Sequence, residues 1–553
     1  MGALALGLGG CGTVPKVAEL AFSGYHVGLR ERGKTDPIHS PKKPPILYIA
    51  LDGIGRDTLY PLLRAGKMPN LEKLLSASGA RFDHAYFSES MLSTLPSSTM
   101  AAWVTTLTGK NPGEHGVTGN EYFVRETEEL ACPAPVSFAD AEPTLELYTD
   151  NYLDRLNDVP TVYEKMRERD PYLQAWVALH PVHRGADHLL LGRRTALVTA
   201  FSTFVESAVE SSLDDRSSRK LYAELDESIL ERVAEDIDKQ SVVADVMTIY
   251  LTGADLYAHV ANEGPDRARN AYLTEVLDPQ LLLVYRALER RHALENRWVV
   301  VGADHGHTQV LHDEEHALST KKDVDPPAVL ERSGFRVRPF VRKTEEAFDA
   351  VFAYGGAMAY VYLADRSKCP APAHCDWKQP PRYEEDVLAA AEAFSSNDAT
   401  GSLVPQVKGA LDLVLVRRPK PYAEVDAPFE VYVGKGKTQS VPDYLREHPH
   451  PTYVELDLRL RALAVGTHGE RAGDILLLAH NGDRERVEDR YYFAPPYRSW
   501  HGSPSRRDSE LPFIVARSTE TTASIRGIVE PVLGKIPLQD KTTDVLLRLR
   551  LGR

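Results

Sequence analysis

The sequence predicts an α/β fold, a three-layer sandwich built round a mostly parallel central sheet. Three observations predict it. Short, continuous apolar runs recur along the chain, the pattern of strands buried on both faces. Helical patterns alternate with several of these runs, as crossovers between parallel strands require. The composition is that of an ordinary soluble globular chain: of 553 residues, 43% are hydrophobic and 26% charged. A disordered or collagenous chain is thereby excluded.

In chain order, residues 1–45 are read as a leading segment and linker, since they end in Pro-rich text, Ser40-Pro41-Lys42-Lys43-Pro44-Pro45. One catalytic domain is expected over 46–553. Its strands are the runs at 46–51, 173–179, 245–251, 298–303, 411–416, 474–479 and 512–516. Its helices are the periodic segments 70–78, 159–168, 217–238 and 266–292. Segments 121–158, 310–405 and 420–470 are richer in Pro, charge and turn residues. They are read as insertions on one core, without a core of their own.

Asp and Glu number 79 against 65 Lys and Arg, a net charge of −14 with His neutral. That surface repels phosphate backbones, so sequence-independent binding of a nucleic-acid polymer is not expected. A small anionic substrate stays compatible, because a bound metal reverses the local field. No apolar run reaches the ~18–20 residues that a membrane-spanning helix needs. The four cysteines include no C-x-x-C pair, so a structural zinc finger is excluded. Cys369 and Cys375 either close a small loop in an oxidising compartment or stand as free thiols. Leu8-Gly9-Gly10-Cys11 resembles the lipobox of a bacterial lipoprotein signal. That implies an exported protein, periplasmic or held at the cell envelope through a lipidated Cys11. The segment departs from such a signal in having no Lys or Arg before its short apolar run; a Gly-rich N-terminus is the plainer alternative.

Several familiar motifs fail on inspection. Asp52-Gly53-Ile54-Gly55 begins like a dinucleotide fingerprint, but Thr58 stands where the third glycine belongs. Gly436-Lys437-Thr438 imitates a phosphate loop, with Val431 in place of its first glycine. His312 and His316 have zincin spacing, but Asp313 replaces the required Glu. No G-x-S-x-G elbow occurs.

A different constellation survives. In an open α/β sheet, ligands gather at the carboxyl ends of the strands. Asp52 ends the first run, Asp255 and His259 follow the 245–251 run, and Asp304-His305-Gly306-His307 follows 298–303. His501-Gly502 precedes the last run. Carboxylates and imidazoles on one edge make a mixed N/O site that suits zinc. Each piece alone has a plainer use, as a helix cap, a surface ion pair or a turn. Their common order after buried strands favours the site. Downstream of Pro96, Ser97, Ser98 and Thr99 open a helix, where a hydroxyl serves as cap or as nucleophile beside the helix dipole.

With these residues in view, the chain resembles the type I phosphodiesterase/nucleotide pyrophosphatase family of the alkaline phosphatase superfamily. The likeness lies in Leu51-Asp52-Gly53, Met68-Pro69-Asn70-Leu71 and the Thr-Gly-Lys-Asn-Pro-Gly-Glu-His-Gly of 108–116. It continues through Asp255 to His259 with Gly264-Pro265, then Asp304-His305-Gly306, His501-Gly502 and a closing helix at 543–552. The resemblance implies an alkaline-phosphatase-like fold and two divalent metal ions, zinc by default. One ion would be held by Asp52, Thr99, Asp304 and His305, the other by Asp255, His259 and His501. Thr99 would be the nucleophile, with Ser98 the fallback, and Asn120 would bind a non-bridging oxygen. The implied reaction is hydrolysis of a small phosphate ester through a covalent phospho-threonine, with retention at phosphorus. Phosphomonoesterase, phosphonate hydrolase or phosphotransferase activity is the alternative within the superfamily, and a silent surface scaffold the alternative outside it. Met100 and Ala101 replace the aromatic residue and Pro common after the nucleophile, which puts a nucleotide substrate in doubt. Ala258 replaces a Gly before the metal-binding His. His307 receives no role beyond a supporting one.

Overall fold

The structure, a computed structural model, describes residues 27–28, 43–138, 140–207, 214–319, 323–419 and 428–552. Cys11 and the reading of residues 1–45 as a leading segment and linker lie almost wholly outside them, on residues 1–26 and 29–42. The central sheet has eight strands, in the order Val27–Gly28, His188–Leu190, Ala175–Ala178, Val246–Leu251, Ile46–Leu51, Trp298–Ala303, Phe513–Ala516 and Ala85–Ser88. From His188–Leu190 to Trp298–Ala303 every neighbouring pair is parallel, while Phe513–Ala516 runs antiparallel to both its neighbours. The predicted fold class is the one observed.

Every residue of Ile46–Leu51, Val246–Leu251 and Trp298–Ala303 is buried. Successive side chains of a strand point to opposite faces, so both faces of the sheet are covered. One group of helices joins Asp215–Lys239 to Asp278–Arg290 and Pro69–Leu74. The other gathers Thr99–Thr108, Val162–Arg169 and Thr522–Leu533 round the closing helix Lys541–Leu551. The Met68–Leu71 motif has a structural use: Asp278 accepts from the N–H groups of Asn70 and Leu71, capping one helix from the start of another.

The helix expected over 266–292 is three pieces, Pro265–Tyr272, a wider π turn Leu273–Leu277, and Asp278–Arg290. Pro279 has no N–H to return to the preceding turn, so the ladder widens there. A larger correction concerns the strands. The runs at 411–416 and 474–479 are absent from the central sheet. They form Leu411–Val416 and Ile475–Ala479, antiparallel partners in a second, six-stranded sheet with Ala350–Tyr354, Met358–Leu363, Glu430–Gly434 and Lys437–Ser440. An apolar run reports burial and leaves the partner strand open. This sheet also has its own hydrophobic cluster, including Leu330, Phe352, Phe394, Val414 and Leu477, where no separate core was expected.

The Cys369–Cys375 pair is a disulfide, and Cys132 is a buried free thiol. Among the described residues no helix is long and apolar enough to cross a membrane.

Candidate active site

Parallel strands end on one edge, so the three central strands deliver their carboxylates to one place. Asp52 follows Ile46–Leu51 and Asp304 follows Trp298–Ala303. Val246–Leu251 leads through Thr252 into the helix Gly253–Val260, with Asp255 in its first turn and His259 in its last. Their i, i+4 spacing puts both on one face, Nε2 of His259 3.6 Å from Oδ1 of Asp255. His501 arrives from the far end of the chain because Ser499–Trp500 pairs with Thr308–Gln309. Asp52, Thr99, Asn120, Asp255, His259 and His501 line one pocket, and Asp304 and His305 are buried against them.

The protons show what this arrangement is built to hold. Nδ1 of His305 donates to the carbonyl of Gly306 at 3.0 Å, that of His259 to Ser499 at 2.7 Å, and that of His501 to Ser97 at 2.9 Å. A carbonyl only accepts, so each Nδ1 carries the proton and each neutral ring leaves a bare Nε2. Nε2 of His305 lies 3.3 Å from Oδ2 of Asp304 and 3.5 Å from Oδ1 of Asp52. Neither of those oxygens has a hydrogen-bond partner. The other oxygen of each carboxylate is held: Oδ2 of Asp52 accepts from the Tyr250 hydroxyl and from Thr252 at 3.1 Å. Oδ1 of Asp304 accepts from the N–H groups of Gly53 and His305, at 3.0 and 2.9 Å. Lone pairs therefore face lone pairs in a buried space, which cations satisfy.

Electrostatics agree with the geometry. Burial, then neighbouring carboxylates, pushes the acids of Asp52, Asp255 and Asp304 well above the usual range. Burial pulls His305 down to about 3 and His259 to about 4, so both rings are neutral bases. Three overlapping groups of donors result. Asp52, Asp304 and His305 form one. Asp255 and His259 form another together with His307, and His501 groups with Asp255 and His305 and stacks on the His305 ring at 3.6 Å. A further cluster, Asp412, His480 and Asp483, is of another kind. There Nε2 of His480 accepts from Arg484 and Nδ1 donates to Asp483, so the ring has no lone pair to spare.

Thr99 opens the helix Thr99–Thr108, and its Oγ1 lies 3.2 Å from Nε2 of His305. Since that nitrogen is bare, the hydroxyl donates. Ser98 makes no capping bond and its Oγ has no partner. Ser97 is structural, its hydroxyl shared among the carbonyl of Ser503 at 3.1 Å and the Arg459 guanidinium at 2.8 Å. Asn120 uses Oδ1 to accept from the N–H of Met100 at 3.0 Å, which leaves its amide donors for the pocket. The remaining wall is largely apolar, with Met100, Val136, Tyr148, Phe201, Phe204 and Trp500 round the pocket.

Sequence reasoning missed Tyr250, Thr252 and Arg269, whose guanidinium donates to the carbonyl of Gly53 at 3.0 Å. Polar residues at the end of the 245–251 run were the available signal for the first two; Arg269 offered none.

The family model described as Type I phosphodiesterase / nucleotide pyrophosphatase matches residues 46–484. The match ends before His501. Among solved structures, the chain is similar to murine ectonucleotide pyrophosphatase / phosphodiesterase 5 (12% identity, TM-score 0.47) and to its inactive variant in complex with AMP (12%, 0.48). It is also similar to the human protein of that description (11%, 0.48). Each alignment covers 92% of this chain and 95% of the other. No curated protein sequence matches this one.

Proposed function

The chain belongs to the type I phosphodiesterase/nucleotide pyrophosphatase family, a family of phosphoester hydrolases, and from that premise we propose that it cleaves small phosphodiesters through Thr99. The observation that carries this reading is the Thr99 hydroxyl at 3.2 Å from the bare Nε2 of His305, beside two partnerless carboxylate oxygens. The donors fit divalent cations: Asp52, Asp304 and His305 would hold one, and Asp255, His259 and His501 another, with zinc the default for such N/O sets. Bound there, the ions supply charge that favours the Thr99 alkoxide and the departing oxygen.

The protein's own groups do the rest. Oγ1 of Thr99 attacks phosphorus, the bond to the leaving oxygen breaks, and the alcohol departs with a proton. Asn120 and the N–H groups at the start of Thr99–Thr108 donate to the non-bridging oxygens, where charge accumulates. Water then attacks the phospho-threonine, the bond to Oγ1 breaks, and Thr99 recovers its proton. Two in-line displacements retain configuration at phosphorus.

The pocket favours a diester. Among its described residues there is no Lys or Arg. A monoester dianion calls for such a donor beyond the metal centre, and a diester monoanion does not. The apolar wall suits an uncharged, apolar ester group. Export to an oxidising compartment is supported by the Cys369–Cys375 bridge.

The test is hydrolysis of bis(4-nitrophenyl) phosphate beside 4-nitrophenyl phosphate, with and without chelator, in wild type and Thr99→Ala. Faster diester turnover, lost on chelation, restored by zinc and absent from the variant, is expected. Turnover that survives chelation or Thr99→Ala overturns the mechanism, and preference for the monoester overturns the substrate class.

A further inference from the structure

His307 is buried, 1% exposed, and stands two residues beyond His305. It is the remaining imidazole of the centre without a role. The hydroxyl of Ser499 donates its single proton to the carbonyl of Ala258 at 2.8 Å. Its oxygen, 3.0 Å from Nδ1 of His307, therefore accepts from that nitrogen. Nε2 of His307 is left bare, 2.6 Å from Oδ1 of Asp255. This is the orientation of His259, His305 and His501: Nδ1–H anchored on a protein oxygen, Nε2 turned to the carboxylates. The same anchor residue serves two of them, since the backbone carbonyl of Ser499 takes the proton of His259.

The surroundings are shaped to this group of three. The rings of His259 and His307 meet edge to face, 4.7 Å apart, over the Asp255 carboxylate. Gly53 approaches so closely that a Cβ there would fall 2.6 Å from both Oδ1 of Asp255 and Nε2 of His307, and its φ of +67° independently favours glycine. Trp500 and Phe204 pack against His259 with ring centroids at 4.8 and 5.4 Å.

We propose that His307 is a ligand of the second cation through Nε2, joining Asp255 and His259, with His501 completing the set. The proposal rests on the metal-centre reading above. It departs from the supporting role expected from the sequence, because an acceptor 2.6 Å from Oδ1 shares the cation's position with it. Four protein donors would make this site more enclosed than one of three.

The experiment measures metal content and affinity, by equilibrium dialysis of the full chain against buffered free zinc, in wild type, His307→Ala and His307→Gln. The visible spectrum of cobalt-substituted protein reports the ligand field independently. Gln keeps an N–H that can reach Asp255, so a hydrogen-bonding role alone would survive it. Two ions in wild type, a second ion held about tenfold or more weakly in both variants, and a changed cobalt band are expected. The first ion, retained at Asp52, Asp304 and His305, reports an intact fold. Added imidazole should restore the second ion to His307→Ala. If wild type and His307→Gln hold two ions equally, with one cobalt spectrum, His307 is no ligand. If wild type holds none, the metal centre itself is wrong and His307 falls with it.

Discussion

Oδ1 of Asn120 accepts the backbone N–H of Met100 at 3.0 Å, so the residue after Thr99 orients the amide in the pocket wall. The bond settles which end of the amide is available. It also ties the start of Thr99–Thr108 to the chain that returns after the 108–116 turns.

Asn120→Ala should lower kcat for the diester by about 10²–10³, the usual cost of one donor to developing negative charge, with a smaller change in KM. Asn120→Asp keeps the Met100 bond but places an anion against the phosphoryl group, and should be at least as slow. Steady-state kinetics check both; an Asp variant of near wild-type kcat would remove Asn120 from the reaction.

Phe201 lines the pocket as part of its apolar wall, which makes it a probe of that wall. Phe201→Ala should raise KM for a bis-aryl diester by about tenfold, in keeping with loss of part of a buried aromatic contact. KM for a methyl aryl diester should move much less. Equal effects on both substrates would place the aryl group elsewhere.

Arg459, fully buried on the helix Leu456–Ala464, binds the carbonyl of Thr94 at 2.9 Å and the hydroxyls of Ser97 and Ser509 at 2.8 Å each. It thereby holds the segment that leads to Thr99. Arg459→Met should cost about 3 kcal/mol of stability, since charged hydrogen bonds are lost and their partners stay buried. Denaturant titration measures this, with kcat falling alongside. A variant as stable as wild type would show that the segment holds itself.

Acid should weaken the fold within a definite window. Burial first, then the charges of His468 and Arg471, lowers the pKa of His115 to about 3. The ring bonds to Thr105 at 2.9 Å and accepts from the N–H of Val117 at 3.1 Å. The unfolded chain takes up this proton near 6.5. The folded value is the lower one, so this contribution is full above about 6.5 and is lost as pH falls towards 3. His115→Gln should flatten the acid arm of the melting temperature between pH 6.5 and 4. An unchanged slope there would mean that other groups carry it.

Much of the site was legible because strand ends are legible. Asp52, Asp255 and Asp304 each follow a continuous apolar run, and parallel strands leave their C-terminal ends together. His501 was legible from its place before the last run and from motif likeness, not through periodicity, for it follows the two-residue strand Ser499–Trp500, which carries no pattern. The runs at 411–416 and 474–479 were readable as buried strands but not as members of a second sheet, because hydrophobic patterning encodes burial and leaves the neighbour unspecified. Arg459 and Arg269 gave no signal, since part of what holds each charge comes from distant segments: Thr94, Ser97 and Ser509 for Arg459, and Gly53 for Arg269.

The sequence by itself determined the fold class, the edge on which the acids gather, and the residue types available to a cation; these follow from local periodicity and from order along the chain. Tertiary structure decided how most of the protons lie. His305 finds its acceptor in the next residue, Gly306, but Ser97, Ala258 and Ser499 meet their donors from distant segments, and together these oxygens take the Nδ1 or hydroxyl protons that leave four Nε2 atoms bare. Those distant donors find their acceptors only once the chain has closed, so the place of His307 beside Asp255 is a property of the packed molecule.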